Sequence, residues 1–131
     1  MDRFLADSVL DLKLSIDSLF ATSKEFSFEL KHKFLYFISQ SERTSPKDLI
    51  EFFQMAKSNV ANLCAGLQKE GLIAKRKRTG SGKEIYYMLT QKGEEELLSK
   101  REQVEEMIDL DNAETIEKLS RELSVLLKRK Y

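Results

Sequence analysis

SPKDLIEFFQMAKSNVANLCAGLQKEGLIAKRKRTGSGKEIYYMLT, residues 45–90, is the stretch whose reading decides the fold. Ser45 is a good N-cap, and Pro46 suits the first helical position, where its missing N–H has no partner to lose. Asp48 then lies in the first turn, near the positive end of the helix dipole. Leu49, Ile50, Phe52 and Phe53 form the buried side of this short helix. Gln54 and Met55 make a turn, and a second helix is expected over 56–70. Val60, Leu63, Cys64 and Leu67 recur at i, i+3, i+4 and i+7, one stripe of a 3.6-residue period. Lys57, Ser58, Asn59, Asn62 and Lys69 take the opposite side. Gly71 ends the helix as a C′ glycine does.

Beyond Gly71 the period changes. Leu72, Ile73 and Ala74 open a strand that Lys75, Arg76, Lys77 and Arg78 continue without an acidic residue. Thr79-Gly80-Ser81-Gly82 is a loop with two glycines free to take positive φ. After Lys83 and Glu84, Ile85-Tyr86-Tyr87-Met88-Leu89 is a β-branched, aromatic return strand. A helix with small polar side chains beside a basic hairpin over 72–89 is the pattern of a winged helix–turn–helix. Such a helix can enter a DNA major groove while the hairpin grips the flanking backbone.

The run Leu67-Gln-Lys-Glu-Gly71-Leu72-Ile73, then the hairpin, then Tyr87-Met-Leu-Thr90-Gln-Lys-Gly93 resembles the MarR family of bacterial transcription regulators. That family carries L-x-x-x-G-L-[IV] at the end of its recognition helix and L-T-x-x-G after its wing. PadR-type regulators share the second pattern and are close competitors. The resemblance extends over nearly all of the chain. It implies a homodimer on double-stranded DNA, with the first and last helices as the dimer interface, and admits a small-molecule effector. Two departures stand out. Typical wings of the family carry Asp-x-Arg at the tip, where this chain has Thr79-Gly80-Ser81-Gly82-Lys83. Ala56 replaces the usual Ser or Thr at the start of the recognition helix, a weaker cap by about 0.5–2 kcal/mol.

With 131 residues, one domain is expected, long enough to bury an adequate core. The 22 basic and 22 acidic residues cancel, so only their distribution is informative. Residues 56–89 hold seven basic and two acidic side chains, whereas the segments on either side are net acidic. Positive charge therefore gathers on the second helix and the hairpin, as a nucleic-acid site requires. A single cysteine permits no internal disulfide. Without a membrane-length apolar run or a signal-peptide core, the expected setting is the cytoplasm.

Outside the central stretch the chain is expected to be helical, giving a mainly α fold with a small β-hairpin wing. Leu5, Val9, Leu12, Ile16 and Leu19 are spaced 4, 3, 4, 3, a heptad seam on a helix within 1–21 that suits subunit pairing. Residues 27–90 form the DNA-binding core. Ser27 is read as the cap of a phenylalanine-rich helix ending near Gln40, its rings packed beneath the reading unit or lining an effector pocket. Thr90 caps a long helix, with Leu97, Leu98, Val104, Met107 and Ile108 as its buried stripe. Asp111 and Glu114 resemble a capping box for a last helix carrying Ile116, Leu119, Leu123, Leu126 and Leu127. The segment 91–131 reads, with 1–21, as dimerisation helices.

Lys57, Ser58, Asn59 and Asn62 are the candidates for groove contacts, since Asn bonds bidentately to adenine and Ser to several bases. Four polar residues alone describe any solvated helix face; the turn before them and the basic hairpin after them decide for DNA. Lys75, Arg76, Lys77, Arg78 and Lys83 are the candidates for phosphate contacts. Alternation along the strand lets about half of that block meet phosphate at once. A dimer making about eight such contacts has a log–log salt slope of about −7. Cys64 reads as a small buried hydrophobe and His32 as a plain helix-face histidine. No nucleophile elbow, Walker, dinucleotide or zinc-protease motif occurs, so no enzyme, cofactor or metal is expected. A winged helix that binds protein instead, through its leucine seams and acidic carboxyl half, is the alternative.

Overall fold

The computed structural model describes residues 3–21, 27–77, 84–108 and 113–126. Among them the elements run α1 (Arg3–Ala21), α2 (Leu30–Ser39), α3 (Pro46–Phe53), α4 (Lys57–Lys69), β1 (Ile73–Lys77), β2 (Ile85–Leu89), α5 (Gln91–Met107) and α6 (Ala113–Leu126). β1 and β2 are antiparallel, with Ile73 opposite Leu89, Lys75 opposite Tyr87 and Lys77 opposite Ile85. Mainly helical with one hairpin, this is the expected winged helix–turn–helix.

Local chemistry sets the boundaries of the reading unit. Ser45 and Asp48 form a reciprocal capping box at the start of α3: the Asp48 N–H donates to Ser45 Oγ at 3.1 Å, and the Ser45 N–H donates to Asp48 Oδ2 at 2.9 Å. Gln54 ends α3 in the left-handed region (φ 52°) and turns the chain towards α4. Gly71, at φ 78°, stops α4.

The core is where α2, α3, α4 and the hairpin meet. Phe34, Leu35, Ile38, Leu49, Val60, Cys64, Leu67, Leu72, Ile73 and Tyr87 form one buried cluster. Four phenylalanines join α2 to α3, with ring centroids of Phe34 and Phe53, and of Phe37 and Phe52, 4.6 Å apart. Burying rings of this size supplies much of the apolar area that fixes the two helices together. They pack as core.

A second set of bonds welds α5 to the end of α4. The Thr90 N–H donates to Leu72 O at 3.0 Å, and the Thr90 hydroxyl donates to Gly71 O at 2.5 Å. Thr90 Oγ1 in turn accepts from the Gly93 N–H at 3.1 Å, the cap of α5. Lys92 Nζ reaches Glu70 O at 2.8 Å. A Cβ on Gly93 would lie 2.1 Å from Leu72 O, so only glycine lets the helix sit this close.

Several expectations are corrected. α2 starts at Leu30 with Glu29, not Ser27, as its N-cap. His32 is not a plain helix-face residue: it is 4% exposed, and its Nδ1 accepts the Glu29 N–H at 3.2 Å. That bond serves the N–H of the N-cap itself, the donor that a Glu or Gln at this third helical position takes in the usual capping box. Leu98, placed by its spacing in the buried stripe of α5, is 52% exposed, because α5 presents Leu97 to the core instead. On α1 the seam residues Val9, Leu12 and Leu19 are half-buried, whereas Leu5 and Ile16 are exposed. The Asp111 cap, Leu127 and the hairpin tip lie outside the described residues.

Candidate nucleic-acid interface

The face of α4 opposite its buried stripe carries the predicted groove residues. Lys57, Ser58, Asn59 and Asn62 are all exposed, while Val60, Cys64 and Leu67 are buried. Ala61, Ala65 and Gly66 keep the exposed surface slim. The N-cap, Ala56, has extended backbone and no side-chain bond to the first turn, so the α4 N–H groups there lack a side-chain cap. Open donors at a helix N-terminus favour anions. Lys57, Ser58 and Asn59 surround that end.

Lys75, Arg76 and Lys77 are exposed along β1, and among the described residues none of them pairs with a carboxylate. Among the described residues Arg76 Nη1 donates to the neighbouring Lys75 O, at 3.3 Å. Alternation turns Arg76 to the face opposite Lys75 and Lys77, yet all three meet solvent. Arg78 and Lys83 lie outside the described residues. The groove and phosphate candidates that are described are thus all exposed, on α4 and on β1.

Two nearby groups explain how this surface is held. Cys64 is buried on the back of α4, and burial pushes its thiol up to about 11, with the Tyr87 hydroxyl in hydrogen-bonding contact. The contact ties the recognition helix to the return strand of the wing. Burial also raises the Tyr87 phenol above its ordinary value. At the N-terminus of α2, burial holds the His32 imidazole below its ordinary value; Lys100 and Lys31 push it the same way and Glu96, 3.5 Å from Nε2, opposes them. With Nδ1 accepting a backbone N–H, the neutral ring carries its proton on Nε2, facing Glu96. Lys31 lies 3.6 Å from both Glu70 and Glu96, so α2, α4 and α5 meet in one charged junction.

Sequence reasoning missed Arg43 and Lys47. Both line a groove of about 780 Å³ between the wing and the helix–turn–helix, together with Lys57, Ile50, Ile85 and Tyr86. The signal was the spacing of cations around Ser45-Pro46, too weak to separate from a solvated loop. A second groove, of about 400 Å³, lies between α2, β2 and α5, lined by Ile38, Met88, Leu89, Leu97, Leu98 and Arg101 among others. Among the described residues no phenylalanine lines either one. Among the same residues there is no cluster of groups able to hold a metal ion, and no helix is long and apolar enough to cross a membrane.

Comparison with known proteins agrees with this geometry. Transcriptional regulator PA4135 superposes with a TM-score of 0.70 at 18% identity, covering 97% of this chain and 98% of that one. BldR from Sulfolobus solfataricus gives 0.63 at 22% identity, covering 99% and 100%. The heme sensor PefR from Streptococcus agalactiae, solved in complex with heme, gives 0.56 at 20% identity, covering 95% and 93%. At these identities the likeness is one of fold. Among curated proteins no sequence matches this chain. Residues 30–84, from the start of α2 to the foot of β2, match the MarR family model, which takes in the Leu67–Ile73 motif and ends before the Thr90–Gly93 motif. Through that segment, set in a fold shared with those structures along almost its whole length, the chain is similar to the MarR family of transcription regulators.

Proposed function

We propose that the chain is a homodimeric, sequence-specific repressor acting on a palindromic operator. The carrying observation is the exposed polar face of α4 beside β1 cations that have no acidic partner among the described residues. Two recognition helices related by a two-fold axis enter successive major grooves about 34–36 Å apart, which makes the operator an imperfect palindrome. Lys57, Ser58, Asn59 and Asn62 read base edges; Lys75, Arg76 and Lys77, with Arg78 and Lys83 beyond them, hold phosphates and set register.

Pairing falls to the outer helices. Leu5, Leu10, Leu14 and Ile16 of α1 and Ile116, Leu119 and Val125 of α6 are exposed, apolar side chains that a second copy of the chain would cover. Segments 1–21 and 91–131 are accordingly the dimerisation helices. An effector acts on such a dimer only by binding two spacings of the reading heads with different affinity. The groove of about 400 Å³ between α2, β2 and α5 is of small-ligand size and is the place such an effector would take.

Fluorescence polarisation against random and selected duplexes tests the reading. Random DNA is expected to bind at roughly 10⁻⁴–10⁻⁶ M near physiological salt and the selected site at least about a thousandfold tighter. Arg76→Ala weakens every duplex alike, whereas Asn62→Ala changes sequence preference more than bulk affinity. Equal losses on all sequences from both substitutions would remove the division of labour. No affinity for any duplex would favour the protein-binding alternative.

A further inference from the structure

Arg43 belongs to the loop before α3, yet backbone pairing places it on the wing. The Tyr87 N–H donates to Thr44 O at 2.7 Å, and the two residues form an antiparallel bridge. Thr44 thereby joins the free edge of β2, and the hairpin becomes locally three strands wide in the order Thr44, β2, β1. Side chains alternate across a strand. Thr44 and Tyr87 face the core, both nearly inaccessible, so Arg43 and Tyr86 turn to the other face. Arg76, opposite Tyr86 in the register, takes that face too.

One aromatic ring thus stands between two arginines. The Arg43 guanidinium carbon lies over the Tyr86 ring, 5.3 Å from its centroid, and Arg76 sits directly across the ladder. A guanidinium over a ring keeps its N–H edges free for bidentate bonds to an oxyanion. Among the described residues no carboxylate pairs with Arg43. Of the two acids lining the adjoining groove, Asp48 already accepts the Ser45 N–H, while Lys47 and Lys57 add positive charge from α3 and α4. Antiparallel pairing sets Arg43 opposite Met88 and Arg76 opposite Tyr86, so two strand spacings, about 9–10 Å, and a two-residue offset along the strands separate their backbones, and each guanidinium has its own place on the surface.

We infer that Arg43 is a phosphate-gripping residue of the DNA interface, held in place by Tyr86, so that the wing clasps the DNA backbone at two points rather than one. The inference rests on the DNA-binding reading above and extends its cationic surface to a residue outside the hairpin sequence. Arg43 supplies the contact; Tyr86 is a positioning residue that limits where the guanidinium can go.

The test is a salt titration of the full chain on a fluorescein-labelled random duplex and on its selected site, followed by polarisation. For a dimer, Arg43→Ala releases one phosphate per protomer, lowers the magnitude of the log–log slope by about 1.8, and weakens both duplexes alike. Arg43→Lys retains the slope. Tyr86→Leu also retains it but weakens binding by about two- to fivefold per protomer, the worth of an exposed cation–π contact, and Tyr86→Phe restores the loss. Unchanged thermal melts for the Arg43 variants exclude misfolding as the cause. A wild-type slope for Arg43→Ala, alongside a flattened one for Arg76→Ala, overturns the inference and leaves the DNA reading standing. A loss confined to the selected site also overturns it, by making Arg43 a base reader. Wild-type protein that binds neither duplex overturns both.

Discussion

Three glycines occupy three different environments, and replacing each by alanine should change stability with a different sign or size. At Gly93 the new Cβ would stand 2.1 Å from Leu72 O, 3.1 Å from Leu72 C and 3.5 Å from Leu72 Cα. The obstacle is backbone, which no rotamer change clears, so α5 must retreat by about 1 Å. Such overpacking costs roughly 1–3 kcal/mol. The retreat also stretches the Thr90 N–H bond to Leu72 O and disturbs the Thr90 cap of α5. A hydrogen bond contributes about 1 kcal/mol and a cap about 0.5–2 kcal/mol. Together these give about 3–5 kcal/mol, a large share of a small domain's stability.

Gly71→Ala meets only Lys92 Cδ at 3.9 Å, so its cost is the left-handed backbone alone, about 1–2 kcal/mol. Gly66, exposed in the middle of α4 with nothing within 4 Å of its would-be Cβ, should gain about 0.5–1 kcal/mol from alanine. Urea denaturation followed by far-UV circular dichroism measures all three. With a slope of about 2 kcal/mol/M, Gly93→Ala lowers the midpoint by roughly 2 M. A Gly93→Ala protein within about 1 kcal/mol of wild type, or equal to Gly71→Ala, would refute the close approach as the reason for glycine.

His32 links stability to pH. Its pKa in the fold lies below the ordinary 6.5, so the unfolded chain takes up the proton more readily, and the contribution of the neutral ring is complete above about 6.5 and lost as pH falls through the lowered value. Protonation also fills Nδ1, the acceptor of the Glu29 N–H. Melting temperature should therefore fall between neutral and mildly acidic pH, and His32→Asn, which keeps an acceptor but does not titrate, should fall less; equal declines would count against His32 as the group responsible. Cys64, with a thiol raised to about 11, is almost wholly protonated at neutral pH and buried. Ellman's reagent should label it only on unfolding, and rapid labelling of the native protein would contradict its place in the core.

What was legible in the sequence was whatever a segment carries in its own neighbouring residues. Ser45-Pro46 with Asp48, Gly71 and Thr90 encode their own helix ends, and the stripe Val60, Cys64, Leu67 marks one face of α4 without reference to anything distant. The register of the hairpin follows from which of Tyr86 and Tyr87 is buried, and the alternation rule required that one be. Less legible were residues whose role is given by a remote partner. His32 reads as an ordinary histidine until the fold brings Glu96 and Lys100 over it. Leu98 fits a helical stripe as well as Leu97 does, and only packing of α5 on the core separates them. Arg43 is invisible as a site residue because the bridge from Thr44 to Tyr87 joins segments far apart in the chain. Phosphate candidates chosen by charge density alone will miss an isolated arginine that backbone pairing carries to the same surface.

The second family motif has a mechanical meaning that the glycine series makes measurable. Thr90 gives its backbone N–H to Leu72, its hydroxyl proton to Gly71 and its oxygen to Gly93, so the end of the recognition helix, the foot of the wing and the start of α5 share one residue. Lys92 fastens α5 again at Glu70, and Lys31 draws Glu70 and Glu96 together from α2. A displacement at the amino end of α5 therefore cannot be absorbed in a slack loop; it must be carried into α4 or break these bonds. Gly93→Ala forces such a displacement from inside the protein. If α5 is coupled to the reading helix as tightly as these distances require, that variant will lose DNA affinity under conditions where it is still fully folded, and Gly71→Ala will not.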